Sequence, residues 1–263
     1  MGQSLIRALR DGEGVGTSGA PLPSLRLTGA IASPGSSRLG EDAAVEGHAT
    51  GVTVTADASA GLIGAAVAVD FSLADGVAAH ARACAAAGIP LLVGTTGIEG
   101  PARTALEAAA GVIPILIAPN TSVGVNVMAR LVKLAASSLG AGYDVEIAEA
   151  HHRLKRDAPS GTALALGEVV ARARGQTLAE AAVFDRHGTF APRAPGSIGF
   201  AVLRAGDIVG EHMVIFAADG ERIEITHRAT DRATFARGAL RAAAWLVGRP
   251  AGLYGMENVL DLR

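Results

Sequence analysis

The chain of 263 residues has little cysteine, few aromatic residues and almost no excess of either charge. Its one cysteine, Cys84, excludes an internal disulfide, and a reducing, cytoplasmic location is expected. Aromatic residues make up 3% of the chain and the formal net charge is -2, so a nucleic-acid partner is not expected. No apolar run has transmembrane length and no signal-peptide pattern is present, so no membrane partner is expected either.

Lysine is scarce as well. Of the 23 basic residues only Lys133 and Lys155 are lysines, and Lys155 lies between Arg153 and Arg156. Lysine differs from arginine because its ammonium group is a compact point donor and not a planar fork. Lys155 is therefore either drift in an arginine-rich chain or a residue kept for its chemistry, and both interpretations stay open.

The first 120 residues alternate β-branched apolar runs with alanine-rich stretches of helical spacing. This alternation predicts βαβ units and an α/β fold with a Rossmann-like, doubly wound parallel sheet. The predicted strands are Leu25–Ser33, Val52–Asp57, Ala66–Ser72, Ile89–Gly97 and Ile113–Asn120, and the predicted helices are 73–87 and Pro101–Gly111.

A second, α+β domain is predicted at residues 123–231, because strands and turns replace the regular alternation after Asn120. Its predicted elements are the helix Ser122–Gly140, the strand Tyr143–His152, the helix Ser160–Gly175 and several strands that begin near Ser197. The final helix, Ala233–Gly248, is expected to return to the first domain, which then comprises residues 1–122 and 232–263.

Three of the predicted strands end in small or polar residues. These ends are Asp70-Phe71-Ser72, Gly94-Thr95-Thr96-Gly97 and Ala118-Pro119-Asn120-Thr121. In open α/β sheets ligands bind at the carboxyl ends of the strands, where small residues let a cofactor approach the backbone. One such end is ordinary turn chemistry, but three in series favour a nucleotide-binding edge.

The densest cluster of reactive side chains is the run EAHHRLKRDAPSGTA, residues Glu149–Ala163. A metal site is disfavoured because His151 and His152 are adjacent in a predicted strand, point to opposite faces and have no cysteine nearby. An acid–base site is favoured, since a histidine exchanges protons near neutral pH and Lys155 follows closely.

The turn after this cluster leads directly into a predicted helix with Ser160 as its cap. The N–H groups and dipole of a helix start attract carboxylate or phosphate, Gly161 permits a close approach and Thr162 adds a hydroxyl donor. An ordinary capped helix start explains the same residues, and spacing alone does not decide between the two.

The run EIAEAHHRLKRDAPSGTALALGE resembles the signature of the bacterial 4-hydroxy-tetrahydrodipicolinate reductase (dihydrodipicolinate reductase) family. The segments VDFS, GTTG, APNTSVGVNVM and PGSIGFAVLRAGDIVGEH carry the same resemblance, which extends over nearly the whole chain. It implies a homotetrameric enzyme of the diaminopimelate route to lysine, held together by its second domain. The implied substrate is a cyclic dicarboxylate, which NADPH or NADH reduces to tetrahydrodipicolinate with release of water.

The resemblance also implies roles for single residues. His151 matches the proton donor and acceptor of the family, and Lys155 matches its catalytic proton donor. The implied substrate-binding residues are His152, Ser160, Gly161 and Thr162. The implied cofactor-binding residues are Gly94, Thr95, Thr96, Ala118, Pro119, Asn120 and Thr121, and no metal is implied.

The chain departs from the family pattern in two places. The family opens with a strand and a Gly-x-x-Gly-[Arg/Lys]-Met-Gly loop, of which only Met1-Gly2 is found here. We therefore expect Met1 to be an internal methionine of a longer natural protein, which N-terminal mass spectrometry of the native protein tests. Ala32 and Ser33 take the places of an acidic residue and an arginine, and the lack of an acidic group slightly favours NADPH over NADH.

Two other functions remain open at this point. One is a nicotinamide-dependent reductase of another amino or imino dicarboxylate, such as an aspartate dehydrogenase, although the His-His-x-x-Lys run and the Ser-Gly-Thr turn suit a cyclic dicarboxylate better. The other is a non-catalytic homologue that only binds ligands, which the incomplete glycine loop suggests. A turnover assay distinguishes the two from the implied reductase.

Overall fold

The computed structural model describes residues 1–12, 25–189 and 191–262. The chain forms two compact units, of which the first comprises Met1–Val123 with Ala233–Arg263 and the second comprises Gly124–Arg232. No helix in the described part of the chain is both long and apolar enough to span a membrane.

The helices and strands of the described residues alternate along most of the chain. The helices are α1 (Gly2–Arg10), α2 (Ala58–Gly61), α3 (Ala74–Ala87), α4 (Gly100–Ala109), α5 (Val123–Leu139), α6 (Gly161–Ala173), α7 (Leu178–Ala181), α8 (Ala233–Leu246) and α9 (Met256–Val259). The strands are β1 (Ala30–Ile31), β2 (Val54–Thr55), β3 (Ala68–Asp70), β4 (Leu91–Val93), β5 (Pro114–Ile117), β6 (Asp144–His151), β7 (Ala182–Val183), β8 (Ile198–Arg204), β9 (Gly210–Ala218), β10 (Glu221–Ala229) and β11 (Gly252–Tyr254).

The first unit contains a four-stranded parallel sheet in the order β11–β5–β4–β3 and a parallel pair, β1 and β2. Both faces of β4 are buried: Leu91 and Val93 pack in a cluster with α3 and α4, and Leu92 packs in a cluster with α8. Helices on both faces of a parallel sheet are the doubly wound arrangement, so the predicted Rossmann-like fold is confirmed.

Local sequence signals explain most element boundaries in this unit. Helix α3 ends at Gly88, whose φ of +68° lies in the left-handed region that glycine adopts without strain. Strands β1 and β2 are shorter than the predicted Leu25–Ser33 and Val52–Asp57, because each pairs with the other over only two residues. Propensity marks where a strand can form, whereas pairing sets how far it extends.

The second unit is built on a five-stranded mixed sheet in the order β10–β9–β6–β8–β7. Strand β6 runs parallel to β8 and antiparallel to β9. Helices α5 and α6 cover one face, where Val132 and Leu166 join Val145, Ile147 and Phe216 in one core cluster. This mixed sheet with helices confirms the predicted second α+β region.

On the helix-covered face, the side chains change from apolar to polar along the sheet. Ile147 of β6 pairs with Val214 of β9, and both are fully buried in the core. Two positions further along β6, Glu149 pairs with His212, which in turn pairs with His227 of β10. Because paired residues share a face, ionisable groups from three strands meet at this end of the sheet, which is called the polar end below.

Candidate active site

The centre of the polar end is the carboxylate of Glu149, which is 2% exposed. Its Oε1 accepts hydrogen bonds from Arg204 Nη2 at 2.8 Å and from the Ser160 backbone N–H at 3.0 Å. Its Oε2 lies 2.9 Å from Arg204 Nη1 and 2.6 Å from His151 Nδ1. One buried carboxylate therefore connects strand β6, strand β8 and the start of α6.

The charges of this cluster follow from burial and from these contacts. Burial raises the pKa of Glu149, but hydrogen bonds from Arg204, His151 and the Ser160 N–H outweigh it and hold that pKa below its ordinary value. Burial lowers the pKa of His151, and the raising effect of Glu149 does not fully offset this. At neutral pH the carboxylate is therefore ionised and the imidazole of His151 is neutral.

A second buried histidine, His212, lies beside His151 with the ring centroids 5.2 Å apart in an edge-to-face arrangement. Its Nε2 is 3.1 Å from the Ser160 hydroxyl. Burial, aided by the nearby His151, lowers the pKa of His212 to about 4. His212 therefore stays neutral near pH 7 and serves as a hydrogen-bonding group of the cluster.

The start of α6 joins the cluster through Ser160, which is 2% exposed. Its hydroxyl caps the helix by accepting the Ala163 N–H at 3.2 Å, while its own N–H binds Glu149. Gly161 is exposed, and a Cβ added to it would meet nothing within 4 Å. Open space thus lies beside the first turn of α6, where the helix dipole favours an anion.

Lys155 lies in the turn between β6 and α6. Its Nζ is 2.9 Å from Asp157 Oδ1, and its positive charge helps to lower the pKa of His151. The Asp157 side chain is 59% exposed, so this ion pair is weak. His152 is half-buried, and its ring has no hydrogen bond to any described residue.

The structure thus places His151 and Ser160 around one carboxylate, with Lys155 close enough to His151 to lower its pKa and with Gly161 and the half-buried Thr162 at the adjoining helix start. Sequence patterns did not assign a role to Glu149, Arg204 or His212. The spacing of Glu149 and His151, two residues apart on one strand, is a signal that could have found Glu149. Arg204 lies 55 positions from Glu149, and no local pattern connects the two.

The polar strand ends of the first unit meet at one edge of its sheet. Asp70 at the end of β3 pairs with Val93 at the end of β4, which pairs with Ile117 at the end of β5. The Thr95 hydroxyl, just after β4, donates to the Ser72 carbonyl at 2.9 Å. This hydrogen bond ties two neighbouring strand ends together and leaves the Thr95 hydroxyl with a backbone partner.

Contacts inside the first unit also fix other residues of this edge. The Thr121 hydroxyl donates to the Phe235 carbonyl at 2.6 Å, and a Cβ added to Gly94 would overlap the ring of Phe71. Of the remaining predicted cofactor residues, Thr96 and Pro119 are exposed, Asn120 is half-buried and Ala118 is buried. Apart from Asn120, the predicted cofactor positions therefore carry small side chains, of which Thr96 and Pro119 are exposed.

Asp70 and His80 form an ionisable pair near this edge, in which Asp70 is buried and His80 is partly exposed. His80 Nδ1 lies 2.8 Å from Asp70 Oδ2, and the other carboxylate oxygen accepts the Ser72 N–H at 2.7 Å. The hydrogen bond with Asp70 raises the pKa of His80. Burial raises the pKa of Asp70, but His80 and Ser72 outweigh it and keep that pKa below its ordinary value.

Within the described ranges, no group of three or more His, Cys, Asp or Glu side chains is arranged to hold a metal ion. The two candidate regions are thus the hydrogen-bond network around Glu149 in the second unit and the edge of small residues at the strand ends of the first unit.

Comparison with known families identifies the lineage of this chain. The family model for the dihydrodipicolinate reductase N-terminus matches residues 1–121, and the model for the dihydrodipicolinate reductase C-terminus matches residues 124–260. The chain belongs to the dihydrodipicolinate reductase family. The strand-end edge falls within the match to the N-terminal model, and the cluster around Glu149 falls within the match to the C-terminal model.

Curated relatives agree with this assignment. The 4-hydroxy-tetrahydrodipicolinate reductases of Anaeromyxobacter dehalogenans (strain 2CP-1) and Thiobacillus denitrificans are 49% and 50% identical to this chain. Each match covers the whole chain and 94% or 95% of the relative. The solved structure of a dipicolinate-bound dihydrodipicolinate reductase from Paenisporosarcina sp. TG-14 shares the fold, with a TM-score of 0.64 at 24% identity over 79% of each chain.

The dihydrodipicolinate reductase family uses NADH or NADPH. The strand-end edge of the first unit fits such a dinucleotide, because small residues and threonines whose hydroxyls already bind backbone carbonyls lie at the carboxyl ends of its parallel strands. Positions 94–96 and 118–121 follow β4 and β5 at this edge, and their contacts with the cofactor stay a prediction.

Proposed function

We propose that this chain catalyses the reduction of 4-hydroxy-tetrahydrodipicolinate to tetrahydrodipicolinate with NADPH or NADH, a step of lysine and diaminopimelate biosynthesis. The observation that carries the proposal is the neutral His151, held by the ionised Glu149, beside Lys155 and the open start of α6. Near 50% identity to curated reductases of that name over the whole chain supports the choice of substrate.

The substrate is a dianion, and the second unit offers two features that suit its carboxylates. One is the open first turn of α6 at Gly161, with Thr162 next to it. The other is Lys155, whose exposed partner Asp157 is easily displaced. In this proposal His152 also contacts the substrate, and Ser160 holds the helix start in place through Glu149 and His212.

The overall reaction replaces a hydroxyl group by hydrogen. A hydride is added to the substrate, and the departing hydroxide takes up one proton and leaves as water. When bound, the nicotinamide supplies the hydride. The protein supplies and moves the proton, for which we propose Lys155 as the donor and His151 as the group that accepts and passes protons.

We further propose that the strand-end edge binds the cofactor through Gly94, Thr95, Thr96, Ala118, Pro119, Asn120 and Thr121. A preference for NADPH is expected because neither Ala32 nor the exposed Ser33, which follow β1, carries a negative charge that would repel a 2′-phosphate. The ratio of kcat/KM for NADPH and NADH tests this preference. A clear preference for NADH would overturn it.

The proposed assembly is a cytoplasmic homotetramer formed through the second unit. Exposed Ala201 and Leu203 on the sheet face opposite α6 support an interface there, and the free, buried thiol of Cys84 suits a reducing compartment. Light scattering on the purified protein tests the assembly. A monomer at micromolar concentration would contradict it.

The decisive experiment is an assay in which 4-hydroxy-tetrahydrodipicolinate is generated in situ by its synthase and NADPH oxidation is followed. We expect substrate-dependent oxidation by the wild-type protein and a collapse of kcat in His151→Gln with the fold retained. Turnover of only another dicarboxylate would point to a related reductase. Absence of turnover with every dicarboxylate would make the chain a binding homologue.

A further inference from the structure

The hydrogen bonds around Glu149 fix its protonation and that of its neighbour. Arg204 donates one N–H to each carboxylate oxygen, and the Ser160 backbone N–H donates to Oε1. These three groups can only donate, so both oxygens must accept. The remaining position on Oε2 is occupied by His151 Nδ1 at 2.6 Å, which must then carry a proton.

With the proton on Nδ1, the neutral imidazole of His151 has its free lone pair on Nε2. The other end of the ring lies against Gly210, the first residue of β9. A Cβ added to Gly210 would come within 3.1 Å of His151 Nε2. The glycine thus leaves room beside the nitrogen that can accept a proton, while Glu149 occupies the opposite side of the ring.

We propose that Glu149 is a positioning residue of the reaction: it holds His151 in the Nδ1–H tautomer, so that Nε2 is the atom that exchanges protons with the substrate. This inference rests on the proposed function, because it assigns the proton step to His151. Arg204 acts one step further away by keeping the Glu149 carboxylate ionised and fixed in a bidentate contact.

Four charged or titratable groups face His151 and set its response to pH. Glu149 lies on the same strand, Arg204 on β8, His212 on β9 and Lys155 in the turn before α6. Burial lowers the pKa of His151, Glu149 raises it, and the two cations lower it. Removal of the Glu149 charge should therefore lower this pKa further.

The variant Glu149→Gln tests the tautomer because an amide cannot accept four hydrogen bonds. The amide oxygen best replaces Oε1, where it keeps the bonds from Ser160 and one Arg204 nitrogen. The amide NH2 then faces His151 Nδ1 and forces that nitrogen to accept. We expect the ring to switch to the Nε2–H tautomer, the pKa of His151 to fall and kcat to drop roughly 10²- to 10⁴-fold, as expected for a lost acid–base group.

The tautomer is read from the ring 15N shifts of histidine-labelled protein without substrate, with the His151→Gln spectrum to assign the signal. Glu146→Gln is a matched control, since Glu146 lies on the same strand and is also held by a bidentate arginine, Arg186, but contacts no histidine. The control should leave the His151 shifts unchanged and kcat within about twofold of the wild type.

Misfolding alone would also lower kcat in Glu149→Gln. The double variant Glu149→Gln/Arg204→Met separates misfolding from the loss of the tautomer. Removing both charges leaves no uncompensated buried ion, so the double variant should regain thermal stability. The proposal expects kcat to stay low in it while the ring shifts report the Nε2–H tautomer of His151, whereas recovery of kcat in that tautomer would overturn the proposal.

An unchanged Nδ1–H tautomer in Glu149→Gln would also overturn it. If the wild-type protein reduces no 4-hydroxy-tetrahydrodipicolinate at all, the proposed function fails and takes the catalytic part of this inference with it. The ring-nitrogen shifts, measured without substrate, still decide separately whether Glu149 sets the tautomer.

Discussion

At the strand ends of the first unit, the hydroxyls of Thr95 and Thr121 bind the protein's own backbone, whereas at the polar end of the second unit ionisable side chains bind one another. Thr95 and Thr121 donate to backbone carbonyls and leave an edge of small residues. The Glu149 carboxylate accepts hydrogen bonds from Arg204, His151 and the Ser160 N–H. The first arrangement suits recognition of a long cofactor by shape and backbone contacts, and the second suits proton chemistry, which needs fixed tautomers and shifted pKa values.

The difference also concerns how each region tolerates change. A backbone edge depends on close packing behind it, so substitutions there act mainly through stability and cofactor affinity. A buried polar network depends on each donor finding its acceptor, so substitutions there act on protonation and rate. The four predictions below test this contrast and run from the largest expected effect to the smallest.

Replacement of Lys155 by alanine should lower kcat roughly 10²- to 10⁴-fold with little change in melting temperature, because it removes the proposed proton donor from an exposed turn. The coupled assay and a thermal melt measure the two quantities. The chain's other lysine, Lys133 on α5, is exposed and provides the control, for which Lys133→Ala should keep full activity. Equal activity of both alanine variants would remove Lys155 from the proposed mechanism.

The second unit should lose stability as pH falls, because of His212. Its pKa is about 4 when folded and about 6.5 when unfolded, so between these values the unfolded chain binds a proton that the folded one does not. Stability from this group is present above pH 6.5 and decreases by about 2 kcal/mol between pH 7.5 and pH 5.

Urea unfolding of the wild type and of His212→Gln at both pH values measures this contribution. The variant should show a weaker decrease, smaller by the amount that His212 contributes in the wild type. Parallel pH dependences of the two proteins would mean that burial does not hold His212 neutral.

Alanine substitutions at two glycines separate effects on packing from effects on ligand binding. Gly94→Ala should destabilise the protein by about 1–3 kcal/mol and raise the KM of the cofactor, because the new methyl group overlaps Phe71. Gly161→Ala should leave stability unchanged, since its Cβ meets open space, but should raise the KM of the substrate that we place there. An unaltered substrate KM in Gly161→Ala would move the proposed carboxylate contact away from the start of α6.

The smallest effect is expected at His80, and its sign is opposite to that of His212. Asp70 raises the pKa of His80, so the stabilisation is full below pH 6.5 and is lost as pH rises through the raised pKa. The pair is partly exposed, and its contribution should be below about 1 kcal/mol. Unfolding of His80→Gln and of the wild type at pH 6 and pH 8.5 should converge at the higher pH.

Much of the fold was predictable from the sequence because its signals are local. The helix predicted at 73–87 is found as Ala74–Ala87, since Gly88 supplies the left-handed residue that ends it. The strand ending at His152 was predicted to within one residue, since alternation of buried and exposed positions marks it. The lengths of β1 and β2 were not predictable in this way, because only the partner strand limits them.

The same holds for the candidate site: its local features could be predicted from the sequence, whereas its long-range contacts could not. The run around His151 and Lys155 could be singled out as acid–base chemistry, and the start of α6 as an anion site, because each is encoded within a few consecutive residues. Their proposed roles stay predictions until the variants are measured. The assignment of a tautomer to His151 required the coordinates, because it depends on which donors converge on Glu149.

The sequence by itself determined the order of strands and helices, the polar strand ends, the scarcity of lysine and the reactive run from Glu149 onward. It also determined the family, through motifs that extend over nearly the whole chain. Only the tertiary structure decided that Arg204 and His212 belong with His151. The physical reason is sheet register: pairing of β6 with β8 and β9 brings residues more than fifty positions apart onto one buried face, where Arg204 binds the Glu149 carboxylate and His212 lies beside His151.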